Sequence, residues 1–124
     1  MRTLLAVSLL AVMAAPSFAQ EATPEGQWRD KFGTTVEFSL CGDGTQLCAV
    51  LLDVQGKSRT KANLAYVNRQ VVKADKTAAN EWQGTVTFNG TTAAGKVTQV
   101  AADVMEVEGC KAAILCQTLA FNRL

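Results

Sequence analysis

Trp82-Gln83-Gly84-Thr85-Val86-Thr87-Phe88-Asn89-Gly90 decides the fold. Trp82, Val86 and Phe88 fall on one side of the chain and Gln83, Thr85 and Thr87 on the other, a period of two that marks a strand with one buried face. Asn89-Gly90 then supplies the positive φ angles of a tight hairpin turn, which sends the chain back through Ala94 to Val100. Strand, tight turn and returning strand are the unit of an antiparallel meander.

The same rhythm extends in both directions. In Thr35-Val36-Glu37-Phe38-Ser39-Leu40 every even position is apolar and every odd one polar. Val104 to Glu108 turns Met105 and Val107 inward, and Leu115 to Leu124 sets Leu119, Phe121 and Arg123 on one side. Ala49 to Val54 is a nearly continuous apolar run and reads as a buried strand. Lys61 to Lys73 fits two patterns: Leu64, Val67 and Val71 match helical spacing, Leu64 and Tyr66 match a strand. It is expected to be a short helix or lid. Short strands, glycine-rich turns and a single proline beyond residue 19 point to a sandwich or a small closed barrel.

The N-terminus reads as an export signal. Arg2 supplies the positive region, Leu4 to Ala15 the apolar region, and Ser17-Phe18-Ala19 small residues for cleavage after Ala19. The apolar run is shorter than the roughly 18 residues of a membrane-spanning helix, so no stable anchor is expected after cleavage. Removing residues 1–19 from the 124 leaves residues 20–124 as one domain, with eleven basic and eleven acidic side chains. That balance gives no overall pull towards nucleic acid. Charge is uneven along the chain, however. Lys57, Arg59, Lys61, Arg69, Lys73 and Lys76 lie between Asp53 and Asn80 with only Asp53 and Asp75 against them. This basic 57–76 connection reads as a solvated segment or as a rim for an anionic ligand, glycan or lipid headgroup.

The four cysteines allow three connectivities. Cys41 ends one strand and Cys48 begins the next across Gly42-Asp43-Gly44-Thr45, while Cys110 and Cys116 flank the last turn, so local pairing is expected. On the chain-entropy model each short loop contributes about 2.5 kcal/mol and serves chiefly to fix register. A redox couple lacks the two-residue spacing and any histidine to lower a thiol pKa. A zinc site of four thiolates disagrees with the spacing and with an oxidising compartment.

The chain has no histidine, which removes His-assisted nucleophiles and the usual histidine metal sites. Glu106 and Glu108 share a strand face, with Asp103 nearby, but lie opposite Met105 and Val107 on the side that should be solvated. The chain is therefore expected not to be an enzyme, with no cofactor or metal. Asn89-Gly90-Thr91 fits a glycosylation sequon, yet the turn already explains those residues.

Gly26-Gln27-Trp28 opens the first strand, and Arg123 stands beside the C-terminus on an apolar face. A tryptophan face suits such an arginine through cation–π attraction, and the pair is expected to close the first strand onto the last. It resembles the G-x-W and arginine signature of the lipocalin and calycin barrels. From Gly26 onward the order Cys41-Gly42-Asp43, Leu47-Cys48, Trp82-Gln83-Gly84, Gly109-Cys110 and Leu115-Cys116-Gln117-Thr118, then Phe121 and Arg123, resembles a family of small exported bacterial proteins of unknown function. The resemblance implies a calycin-like fold and a periplasmic setting, and no substrate. Where that family carries Asn-Pro and Tyr-x-Pro features, this chain has no proline between Val54 and Asn80, and Thr85-Val86-Thr87-Phe88 stands in place of the tyrosine turn.

The expectation is an all-β chain: a small antiparallel lipocalin/calycin-like β-barrel with two local disulfides, a monomer, periplasmic or secreted. Trp28 and Arg123 are its structural positions. Its expected function is non-enzymatic binding of a small apolar ligand. Trp82, Val86, Phe88, Met105, Val107 and Leu119 are expected to line the interior, as a cavity wall or as a filled core. The alternative is an envelope interaction module or an inhibitor of a protease or lysozyme, acting through Gln20 to Gly26 or the basic connection.

Overall fold

The computed structural model describes residues 22–112 and 114–124. The expected export signal, residues 1–19, lies outside the described residues. Eight antiparallel strands form a closed barrel in chain order: β1 (Gly26–Asp30), β2 (Thr35–Cys41), β3 (Gln46–Asp53), β4 (Gln70–Ala78), β5 (Glu81–Phe88), β6 (Thr91–Ala101), β7 (Val104–Lys111) and β8 (Leu115–Arg123). Closure comes from β8 pairing with β1 through Trp28 with Arg123 and Asp30 with Phe121. The barrel expected from the sequence is thus present, with both local disulfides, Cys41–Cys48 and Cys110–Cys116.

Alternation explains the core. Val36 and Phe38 of β2, Leu47, Ala49 and Leu51 of β3, Trp82 and Val86 of β5, and Met105 and Val107 of β7 are all buried. These four strands thereby put every second side chain on the barrel interior.

Four details differ from the periodicity. Ala49 to Val54 is not buried on both faces: Leu47, Ala49 and Leu51 are buried while Cys48, Val50 and Leu52 are half-buried on the outside. Leu40 is 38% exposed because β2 runs past the packed interior there, and Thr35 is buried instead. Lys61 to Lys73 splits into one helical turn, α1 (Lys61–Leu64), and the start of β4. The basic 57–76 segment is therefore a connection only as far as Arg69; from Gln70 it is a barrel strand, with Val71, Val72 and Ala74 buried.

A row of glycines bends the wall. Gly84, Gly95 and Gly109 are directly paired across β5, β6 and β7. A methyl group on Gly84 would run into the Lys73 carbonyl and Ala74, on Gly95 it would lie 2.5 Å from Val86 Cγ1, and on Gly109 it would lie 2.8 Å from Phe88 Cε2. Val86 and Phe88 occupy the space that Gly95 and Gly109 leave, and the β4 backbone closes in on Gly84, so the row sets where the interior wall stands.

Candidate functional site

The two ends of the barrel are built differently. At the end holding the chain termini, the Arg123 guanidinium lies 4.3 Å from the centre of the Trp28 ring. Its Nη1 donates to the Glu25 carbonyl (2.7 Å), its Nε to the Ala102 carbonyl (3.1 Å), and its Nη2 to the Thr23 carbonyl. Trp28 Nε1 donates to the Pro24 carbonyl at 3.0 Å. Gly26 holds φ at +128°, and a side chain there would press on Arg123 Nη1, which is why glycine precedes Gln27-Trp28. Met105 and Phe38 fill the space beneath, with the Phe38 and Trp28 rings edge to face at 6.3 Å. This end is closed.

The opposite end opens into a cavity of about 220 Å³. Val36, Val72, Val86, Val107 and Phe121 form its walls, and Phe32, Asn89 and Gly90 border its mouth. Of the six residues expected inside, Val86, Phe88, Val107 and Leu119 line this space, while Trp82 and Met105 belong to the packed half. Trp82 Nε1 donates to the Thr45 carbonyl at 2.9 Å. Among the described lining residues one carries a charge, Asp30, and it is 6% exposed. Its Oδ1 accepts the amides of Phe32 and Thr34, both at 2.9 Å, which builds the β1–β2 turn. Sequence reasoning passed Asp30 over. The available signal was Asp30-Lys31-Phe32-Gly33, an aspartate at the first position of a turn that needs a positive φ, and Gly33 supplies +83°.

A lid covers part of the mouth. Its frame is a 3-10 turn (Gly56–Ser58) followed by α1, whose first turn is capped by the Thr60 hydroxyl accepting from the Asn63 amide at 3.2 Å. Asn63 then clamps the β5–β6 hairpin: its Nδ2 donates to Asn89 Oδ1 (2.9 Å), and its Oδ1 accepts from the Asn89 amide (3.0 Å). Arg69 stacks on Tyr66, its guanidinium 5.4 Å from the ring centre, and Tyr66 faces the cavity. The two segments expected to insert into a partner are thus both engaged: Thr23 and Glu25 by Arg123, and 58–66 by the hairpin.

The remaining candidates carry no site. Glu106 is exposed and Glu108 half-buried, and neither lines the cavity. Glu108, Cys110 and Cys116 place ligand atoms within 4.8 Å of one another, but the two sulfurs are bonded to each other, leaving no thiolate for a metal. A second depression, beside Pro24, Leu40 and Trp82, offers an indole already committed to Thr45. No described helix is long and apolar enough to cross a membrane. Compared with protein-family models, curated proteins and solved structures, the chain matches none.

Proposed function

We propose that this protein is a non-enzymatic binding protein of the periplasm or extracellular space that holds a small, neutral, largely apolar ligand in the open end of its barrel. The observation that carries this reading is the cavity itself, roofed by a clamped lid and lined mainly by valine, leucine and phenylalanine. Its volume lies between a cavity that accepts benzene, roughly 150 Å³, and the lower end of drug-sized pockets, roughly 300 Å³. The size suits a ring system or a short chain. Asp30 in the wall disfavours a carboxylate ligand, because two like charges would meet in a poorly solvated space. The export signal and the two disulfides support an oxidising compartment.

The test has two parts. Native mass spectrometry of protein taken from its own envelope fraction should give a discrete extra mass that is lost on denaturation. A neutral naphthylamine fluorophore should brighten on titration into the emptied protein, and the bulky variant Leu119→Trp should abolish that response. A bare mass together with a dye response unchanged in Leu119→Trp overturns the reading.

A further inference from the structure

The connections around the open end, 31–34, 54–69, 89–90 and 112–114, together with Lys111 at the end of β7, contain six cationic residues; the carboxylates that end strands at this rim, Asp30 and Asp53, are buried and half-buried. Lys31, Lys57, Arg59, Lys61, Arg69 and Lys111 are all exposed. The connections at the closed end, 22–25, 42–45, 79–80 and 102–103, contain Glu25, Asp43 and Asp103 and no cation. A chain with balanced charge is therefore strongly polarised along the barrel axis.

Of the seven exposed large apolar side chains among the described residues, four, including the two most exposed, lie at the basic end, while Leu40, Val100 and Leu124 lie at the closed end. Ile114 is 86% exposed and Leu115 67%, on the turn braced by Cys110–Cys116; Phe32 is 46% exposed on the β1–β2 turn and Leu64 42% on the lid. These four sit among the six cations. Side chains of this size in solvent around one rim mark a surface that meets something apolar.

We propose that the open end of the barrel docks on an anionic lipid bilayer, with the six cations among the headgroup phosphates and Ile114, Leu115, Phe32 and Leu64 in the boundary with the acyl chains. Cations alone would hold the protein above the headgroups; apolar tips alone would bind weakly and without regard to lipid charge. The two together give stable, charge-selective attachment. A second copy meeting this one rim to rim fits badly, since it would set six positive charges against six. Four of the six cations are lysines, a residue depleted at protein–protein interfaces. The proposal concerns the outer rim and stands whether or not the cavity carries a ligand.

The experiment is co-sedimentation of the full barrel with vesicles of phosphatidylcholine alone and of equal parts phosphatidylcholine and phosphatidylglycerol, at low and high salt. Binding is expected to the anionic vesicles only, with release by salt. Each cation near an anionic surface contributes about fivefold in affinity. The triple variant Lys57→Glu, Arg59→Glu, Lys61→Glu should therefore lose on the order of a hundredfold or more. Lys31→Glu with Lys111→Glu, on the other two turns, repeats the test should the lid variant misfold. Ile114→Ser with Leu115→Ser should weaken binding while preserving its salt dependence. Equal retention on both vesicle types, retention on neither, or unaltered binding by a folded charge-reversal variant overturns the proposal. So does lipid-free self-association that Ile114→Ser with Leu115→Ser abolishes, which would assign the surface to a second copy.

Discussion

Arg123 caps the face of Trp28 at 4.3 Å and, with the same guanidinium, holds the Glu25 and Thr23 carbonyls, 98 and 100 residues earlier in the chain. The planar fork is what allows this: one face stacks on the indole while the edge donates in two directions. Charged hydrogen bonds at roughly 1.5–3 kcal/mol and a stacked cation at roughly 0.5–2 kcal/mol set the scale. Arg123→Ala should lower unfolding free energy in urea by about 3 kcal/mol, and Arg123→Lys should recover less than half of it, because an ammonium cannot stack and bridge at once. An unchanged urea midpoint in either variant would show that the contacts are ornamental.

The glycine row predicts an asymmetry between backbone-limited and side-chain-limited positions. A methyl on Gly84 meets the backbone of Lys73 and Ala74, whereas one on Gly109 meets the rings and methyls of Phe88 and Val86. Gly84→Ala should destabilise by about 3 kcal/mol, at the top of the overpacking range. Gly109→Ala should cost less and instead displace Phe88 into the cavity, reducing dye capacity. Chemical denaturation of both variants beside dye titration separates the two effects.

Asp30 predicts ligand charge. Asn in its place keeps an Oδ1 to accept the Phe32 and Thr34 amides while removing the negative charge from the cavity wall. Wild-type protein should bind the neutral naphthylamine and reject the corresponding naphthoate, and Asp30→Asn should admit the naphthoate at least tenfold better. Equal discrimination by both proteins would remove Asp30 from the account of selectivity.

The lid should open independently of the barrel. Its attachment to the β5–β6 hairpin rests on the paired Asn63–Asn89 bonds. Asn63→Ala should speed amide hydrogen exchange across 58–66 while leaving β5 to β7 protected, the pattern of a local and not a global opening. Uniformly faster exchange throughout the barrel would mean that the clamp supports the whole fold.

Asp43 is a local reporter of acid sensitivity. The Thr45 hydroxyl, 2.6 Å from Asp43 Oδ1, and the Thr45 amide at 2.9 Å hold the Asp43 carboxyl below its ordinary range. Because the folded value lies below the unfolded one, the associated stability is present above the ordinary value of 3.8 and is lost as pH falls through the folded value. The Thr45 amide resonance should titrate with a midpoint under 3.8, and Thr45→Ala should raise that midpoint. A midpoint that Thr45→Ala leaves in place would assign the shift to another cause.

Much of the barrel was readable because its signal is local. Trp82, Val86 and Phe88 announce β5 by alternation, Asn89-Gly90 announces the hairpin, and Met105 and Val107 announce β7. The strand β4 escaped for a physical reason visible in its partner. Ala74 pairs with Gly84, where an added side chain would run into the Lys73 carbonyl and the Ala74 backbone, and with alanine facing glycine this inward pair carries little hydrophobic signal. Lys73, Asp75, Lys76 and Thr77 then make the segment look like a solvated loop. The cavity was legible only as a choice between filled and hollow, since whether alternate side chains meet across the axis depends on strand number and stagger and not on any one strand. The Asn63–Asn89 clamp joins residues 26 apart, and nothing in either neighbourhood points to the other.

The pairing of β8 with β1 has a consequence for how this chain reaches its final form. Until Leu115–Arg123 is in place, the other seven strands constitute an open sheet with two unpaired edges, the kind of surface that recruits other strands. A meander whose ends must meet also defers its most distant contacts to the end, which slows folding relative to a helical chain of the same length. Completion and protection therefore arrive in one event. Loss of the last ten residues, 115–124, would remove one strand in eight yet expose both edges of the rest, turning a closed ring into a template for aggregation.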